Sequence, residues 1–234
     1  GGNPRDFYAN SKHLSDYIRY TLSHKKESIW IAQRNGRTKN GNDATDPGLI
    51  RMFSMSGCND ILKNIEELNI VPLAISYQIE PCDMMKMKEL FLSQETKYIK
   101  APNEDLQSII TGIIQPKGKV HIEFTKQITG EVLSQFSGMN NKNFIVALAK
   151  LIDKNIHEGY MLFDTNYIAY DILNNSSEFL GKEYTKEVFS EFMAVMNEKI
   201  ESANGNKEEL KAIYLSMYAN PVKNKISYNS NLIL

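Results

Sequence analysis

Hydrophobic and polar positions over the first half of the chain follow both strand-like and helix-like patterns. Apolar, β-branched or alternating runs predict three strands, at residues 28–33, 69–77 and 117–124. Apolar residues at helical spacing predict helices over 11–23, 59–68, 84–94 and 104–114. Strands separated by helices favour parallel pairing. We therefore expect an α/β fold with a small, mainly parallel sheet flanked by helices.

Two local signals refine the predicted helices and strands. Asn10 and Ser11 are candidate N-caps for the first helix. Asp46 followed by Pro47 is typical of a helix start, with an N-cap and then proline at the first helical position. Pro72 cannot donate a ladder hydrogen bond, so it should lie near the start of its strand or at a sheet edge.

The pattern changes after about residue 128, where only helical stripes remain. The stripes begin at Phe144, Phe189 and Leu210. We expect a partial α/β domain over residues 1–128 and an all-helical C-terminal region over 129–234 that packs on it. Three parallel strands would leave a narrow sheet with open edges. The narrow sheet, together with a start that lacks Met, favours a longer chain with further strands upstream. The open sheet edges also favour self-association of the 234-residue chain.

Composition excludes several classes of protein. Hydrophobic residues make up 42% of the 234 residues and charged residues 24%, which is typical of a globular protein. A net charge of −1 argues against a nucleic-acid partner. Cys58 and Cys82 predict reduced thiols rather than a disulfide scaffold. No histidine has a Cys or Glu partner at metal-ligand spacing, so we predict no metal site; His13 and Asp16 are interpreted as a surface pair.

A basic loop follows the first predicted strand. Between residues 25 and 39 the chain carries five basic residues and one acidic residue. Arginine presents a planar fork that fits phosphate oxygens, and Gly36 and Gly41 allow backbone N–H groups to turn toward an anion. The loop therefore predicts a phosphate or anionic head-group site, with a solvated basic turn as the alternative.

Three segments of the chain resemble motifs of one enzyme family. Residues 30–41 (W-I-A-Q-R-N-G-R-T-K-N-G) resemble the third motif of the PlsC-like glycerophospholipid acyltransferases, which reads F-I-E-G-G-R-S-R-T-G in the glycerol-phosphate branch. Residues 70–75 (I-V-P-L-A-I) resemble the fourth motif, and residues 119–124 (K-V-H-I-E-F) the strand after it. Their order and spacing agree, and the resemblance covers about residues 10–128.

The resemblance implies an activity and an acceptor site. The family transfers an acyl group from acyl-CoA or acyl-carrier protein, which are co-substrates rather than cofactors, to a hydroxyl of a glycerophospholipid-like acceptor. Aligned without gaps, Arg37 falls on the motif arginine, Gly36 on a motif glycine, and Thr38 and Lys39 on the following serine and arginine. The predicted acceptor-binding residues are these four together with Arg34 and Asn35.

The sequence departs from the family in two places. Arg34 and Asn35 occupy the region where the motif has a glutamate. The His-x-x-x-x-Asp motif that supplies the general base does not occur in the 234 residues. We therefore predict that this chain contains no catalytic residue and has no acyltransferase activity when isolated. We expect it to be part of a longer acyltransferase. The alternative is a non-catalytic anion- or lipid-binding module that has lost the His and Asp.

Location and partners follow from the same resemblance. It implies a cytoplasmic protein at the inner face of the membrane, with a phospholipid-type acceptor and an acyl donor as partners. No run approaches the ~18 consecutive apolar residues of a membrane span, but peripheral contact is compatible with the sequence. Met84, Met85 and Met87 form an apolar cluster that could contact lipid, although methionine is more often core filler.

Overall fold

The computed structural model describes residues 3–34, 38–94 and 97–230. Helices account for 58% of the described residues. In chain order the elements are α1 (Pro4–Tyr20), α2 (Pro47–Phe53), α3 (Ile61–Glu66), β1 (Leu73–Tyr77), α4 (Asp83–Leu92), α5 (Glu104–Ile114), β2 (Val120–Phe124), α6 (Gly130–Ser134), α7 (Asn141–Glu158), α8 (Asp164–Leu173), α9 (Lys186–Ser202) and α10 (Lys207–Ser230). A short π-helical turn, Thr21–Lys25, extends α1.

The predicted parallel sheet is wrong, because β1 and β2 form a two-stranded antiparallel sheet. The Thr125 N–H donates to the Pro72 carbonyl at one end (3.0 Å), and the Gln78 N–H donates to the Lys119 carbonyl at the other (2.9 Å). This register runs the two strands in opposite directions. Because α4 and α5 lie between β1 and β2 in the sequence, a parallel crossover is the usual expectation. A long connection permits parallel pairing but does not require it.

The first predicted strand, residues 28–33, is also wrong. The segment is irregular, Trp30 is 74% exposed, and Ile31 is exposed as well. Within the described parts of the chain, no strand pairs with it. A run of β-formers becomes a strand only when another strand satisfies its backbone groups, and local composition cannot supply that partner.

Several predictions for the ends of helices and strands are confirmed. Asp46 caps α2 by accepting a hydrogen bond from the Gly48 N–H at 2.7 Å, α5 has the predicted bounds, and Pro72 immediately precedes β1. The helix predicted over 11–23 begins earlier, because Asn3 is the N-cap and Pro4 the first helical residue. The described residues after 128 are helical apart from turns and one isolated bridge.

The chain divides into two compact units, each of which combines segments from both sides of residue 128. Unit 1 comprises Gly1–Arg37, Ala44–Leu73 and Phe124–Ile156. Within it, Arg19 of α1 donates to Ser56 Oγ (3.0 Å), to the Asn64 carbonyl (2.7 Å) and to the Glu67 carboxylate (2.9 Å). The Arg19 guanidinium therefore holds α1 against the α2–α3 region through several hydrogen bonds of defined direction.

Unit 2 comprises Thr38–Asp43, Ala74–Glu123 and His157–Leu234. Helix α10 packs against α4, α8 and α9. The apolar cluster at its centre contains Met87 of α4, Ile168 of α8, Met196 of α9 and Leu210 of α10. Met87 is fully buried, and Met84 packs against the cluster, so these residues fill the core.

Candidate functional site

Unit 2 contains a cavity of about 220 Å³. Its wall is formed by the segment 38–43, the carboxyl end of β1, the residues around 160, and helices α4, α8 and α10. All of these segments belong to unit 2. A space of this size accommodates a small polar molecule or one polar group of a larger ligand.

The segment 38–43 is attached to unit 2 by polar contacts from two helices. The Asn220 side-chain amide of α10 donates to the Asn40 carbonyl (2.7 Å), and His157 Nε2 lies 3.0 Å from the Asp43 carbonyl oxygen. The Tyr160 hydroxyl donates to the Asp43 carboxylate. These contacts hold the segment at Asn40 and at Asp43, and Thr38 and Lys39 line the cavity.

Gly41 allows the segment to approach α10 closely. Its φ is +69°, and a β-carbon would overlap the carbonyl oxygen of Met217. Pro221 has no N–H to donate to that carbonyl, which a regular helix would satisfy from position 221. Gly41 therefore lies against the Met217 carbonyl, which cannot receive a helical hydrogen bond from Pro221. Both Gly41 and Pro221 line the cavity.

Two lysines line the cavity, and each is paired with a carboxylate. Lys39 binds Glu89 of α4, and Lys86 lies 3.0 Å from Glu80. Both pairs are partly buried, where the effective dielectric is lower than in water. The wall therefore carries two lysine ammonium groups, each paired with a carboxylate, and it also includes the carboxylates of Asp43 and Glu80.

A buried hydrogen-bond network supports one side of the cavity. The Tyr218 hydroxyl accepts from the Glu80 N–H and donates to Asp83 Oδ2, both at 3.1 Å. Lys199 contacts the same carboxylate oxygen at 2.5 Å. Burial, together with Tyr214 and Asp83, raises the pKa of Tyr218 well above its ordinary value. Tyr218 is therefore a neutral hydroxyl at all physiological pH values.

The titratable side chains of the described cavity wall are two carboxylates, two lysines and three tyrosines. None of the described residues in its wall is a histidine or a cysteine. The Ser76 hydroxyl accepts a hydrogen bond from the Met161 N–H at 3.2 Å, and no base in the described wall contacts it. Among the described residues, no group of three or more His, Cys, Asp or Glu side chains is placed so that it could hold a metal ion.

Of the residues predicted to bind the acceptor, only some lie at the cavity. Thr38 and Lys39 line the cavity, whereas Arg34 is an exposed residue of unit 1. Asn35, Gly36 and Arg37 lie outside the described residues. The loop was predicted at the end of a strand over 28–33, and that part of the prediction is wrong because the strand does not form.

Other candidate residues from the sequence have ordinary roles. Asp16 pairs with Lys12 at 2.5 Å, one helical turn away, rather than with His13. Neither Cys58 nor Cys82 is in a disulfide.

Sequence reasoning did not identify Glu80, Lys86, Tyr160 and Tyr218 as part of a site. Glu80 follows the carboxyl end of β1, a position that could have marked it. Lys86 and Tyr218 are single polar residues in apolar helical patterns, and Tyr160 lies just after the end of α7. Only the packing of unit 2 brings them to one cavity.

Comparison with known proteins gives no relative for this chain. No family model matches it, and no curated protein or solved structure is similar enough to count as a match. In the part of the chain that the structure describes, none of the helices combines the length and apolar character needed to cross a bilayer.

Proposed function

We propose that the chain binds the anionic group of a glycerophospholipid-like acceptor as part of an acyltransferase. That enzyme moves an acyl group from acyl-CoA or acyl-carrier protein to a hydroxyl of the acceptor. The acceptor's phosphate would replace the carboxylates of Glu89 and Glu80 as the partner of the Lys39 and Lys86 ammonium groups. Arg37 would add a bidentate contact to the phosphate.

One observation carries this proposal. Two segments that resemble successive family motifs contribute to the same cavity. Thr38, Lys39 and Gly41 come from the stretch that resembles the third motif, and Ile75 is the last residue of the stretch that resembles the fourth. The residues next to Ile75 in β1, Ser76 and Tyr77, also line the cavity.

The alternative is a non-catalytic module that binds an anion or lipid. Two features favour it: no His-x-x-x-x-Asp occurs in the 234 residues, and no histidine lies in the described cavity wall. Both functions require anion binding at Lys39. They differ in whether a protein that contains this chain transfers acyl groups.

Calorimetric titration with glycerol 3-phosphate tests the binding step shared by both functions. A charge-assisted hydrogen bond contributes about 1.5–3 kcal/mol. Lys39→Ala should therefore weaken binding by about ten- to a hundredfold. Lys182→Ala is the matched control, because Lys182 is an exposed lysine of unit 2 that does not line the cavity. Equal affinity of the Lys39→Ala variant and the unsubstituted chain would disprove the site.

Acyl transfer separates the two functions. The isolated chain should release no CoA from acyl-CoA in the presence of lysophosphatidate, because it has no general base in a family motif. The longest protein that contains this sequence should release CoA if the acyltransferase proposal is right. If that protein binds glycerol 3-phosphate but transfers no acyl group, the binding-module alternative is right.

A further inference from the structure

Helix α5 has the reverse of the usual arrangement of apolar and polar faces. Its large aliphatic residues follow the i, i+3, i+4, i+7, i+8 spacing of a single stripe. In a globular protein such a stripe normally faces the core. Here every member is exposed, and two of them are more than 70% exposed: Leu106, Ile109, Ile110, Ile113 and Ile114.

The opposite face of α5 lies against the protein. Its residues are small or polar, and Ser108, Thr111 and Gly112 are half-buried. The Cys82 thiol lies 3.5 Å from the Ser108 carbonyl, and a β-carbon on Gly112 would be 3.7 Å from the same sulfur. This close contact between small groups fixes the orientation of the helix, so the aliphatic stripe points outward.

Positive charges lie at both ends of the stripe. Lys97 and Lys100 precede the helix, and Lys117 and Lys119 follow it. The Lys117 ammonium donates to the carbonyls of Ile113 (3.2 Å) and Gln115 (3.0 Å), so its charge lies beside the C-terminal end of the stripe.

The acidic residues at the start of α5 are engaged locally. The Glu104 carboxylate accepts from the Tyr98 hydroxyl (2.7 Å) and the Ala101 N–H (3.0 Å). Asp105 pairs with Lys100 at 2.5 Å. Hydrogen bonding to Glu104 raises the pKa of Tyr98 to about 12, so this phenol remains a neutral donor. These contacts satisfy both carboxylates at the N-terminal turn of the helix.

We propose that α5 is a lipid-binding surface that lies on an anionic phospholipid bilayer. The aliphatic stripe would enter the boundary between head groups and acyl chains, and the lysines at its ends would contact lipid phosphates. Ile99, which precedes Lys100 in the sequence, is a further aliphatic side chain and is 86% exposed.

Composition favours lipid over a protein partner. Protein interfaces are enriched in aromatic residues, methionine and arginine and depleted in lysine. The stripe contains only leucine and isoleucine, and lysines flank it. An apolar helix face of this kind can lie in a membrane interface, and here the basic residues that would contact an anionic surface flank the helix rather than lie within it.

Vesicle cosedimentation tests the proposal independently of any enzyme activity. The chain should sediment with vesicles of equimolar phosphatidylglycerol and phosphatidylcholine. Binding to phosphatidylcholine vesicles should be roughly thirtyfold weaker, since each lysine near an anionic surface contributes about 1 kcal/mol and the four lysines less Glu104 and Asp105 leave two net positive charges. Ile113→Ser with Ile114→Ser should lower the partition constant at least about tenfold.

The matched control is Val146→Ser with Val195→Ser, which removes two exposed aliphatic side chains from other helices. Partitioning of this variant should stay within about twofold of the unsubstituted chain. Thermal unfolding of both double variants checks that they are folded. If the Ile113→Ser, Ile114→Ser variant does not fold, Ile113→Trp in a Trp30→Phe background gives a second test. Its single tryptophan should shift to shorter wavelength and be quenched by brominated lipid on anionic vesicles.

Three results would overturn the proposal. The chain could fail to bind anionic vesicles, the Ile113→Ser, Ile114→Ser variant could bind as well as the unsubstituted chain, or the tryptophan fluorescence of the Ile113→Trp variant could remain unchanged. If the chain ignores vesicles and the Ile113→Ser, Ile114→Ser substitutions convert a dimer to a monomer in light scattering, the stripe is an interface between two copies.

Discussion

At the scale of single residues, Arg37 is the strongest prediction from the sequence. It falls on the motif arginine of the resemblance, and it lies outside the described residues. A bidentate contact to phosphate contributes about 1.5–3 kcal/mol. Arg37→Ala should therefore weaken glycerol 3-phosphate binding by about ten- to a hundredfold, measured by calorimetry. Arg37→Lys should recover only part of this loss, because lysine has no planar fork. If the alanine variant binds as well as the unsubstituted chain, Arg37 has no role in the site.

Asp171 determines part of the stability of unit 2. Burial alone would raise the pKa of this carboxylate. Four hydrogen bonds outweigh burial and lower the pKa: from Ser176 Oγ, the N–H groups of Glu178 and Phe179, and the Tyr184 hydroxyl. A carboxyl with a lowered folded-state pKa stabilises the protein above its unfolded-state value and loses that contribution as pH falls through the folded-state value.

Asp171→Asn should lower the free energy of unfolding at pH 7 by about 3 kcal/mol, because the new amide cannot accept all four bonds. The difference between the two proteins should shrink as pH falls below about 4, the ordinary aspartate range. Urea unfolding at a series of pH values measures both effects. The exposed Glu201 provides the control: Glu201→Gln should change stability by less than about 0.5 kcal/mol. A pH-independent difference between Asp171→Asn and the unsubstituted chain would contradict this account.

At the scale of elements, the contact between the segment 38–43 and α10 depends on Gly41. An alanine there requires a left-handed φ, which costs about 1–2 kcal/mol. It also places a methyl group on the Met217 carbonyl oxygen. Gly41→Ala should therefore lower the free energy of unfolding by about 2–5 kcal/mol. Gly181 has a similar φ of +79° with open space around it, so Gly181→Ala isolates the conformational cost. Equal losses for the two variants in thermal unfolding would show that the segment can move away from α10.

Helices were more predictable than strands because their signals are local. The bounds of α5 and the Asp46 cap of α2 follow from residues within one or two turns. The direction of β2 relative to β1 depends on backbone groups more than 40 residues apart, and no local pattern encodes it. The exposed residues 28–33 show the same limit, since their strand-like composition has no described partner.

At the scale of the whole molecule, the candidate site was partly predictable. The basic loop indicated Lys39, because charge and glycine spacing are visible in a sequence, and the resemblance to the family motif implied Thr38. The carboxylates that pair with Lys39 and Lys86 were not predictable. Glu89 is 50 residues from Lys39 along the chain, and the packing of unit 2 brings the two together. Self-association and the boundary near residue 128 stay predictions.

The central claim is that the cavity of unit 2 binds the acceptor's anionic group. Titration of the isotope-labelled chain with glycerol 3-phosphate, followed by amide chemical shifts in NMR spectra, tests it most directly. Glycerol, which lacks the phosphate, is the matched control. We predict saturable shifts at Thr38, Lys39, Gly41, Ser76 and Tyr77 with glycerol 3-phosphate and none with glycerol. The absence of saturable shifts, or shifts confined to residues away from this cavity, would contradict the account.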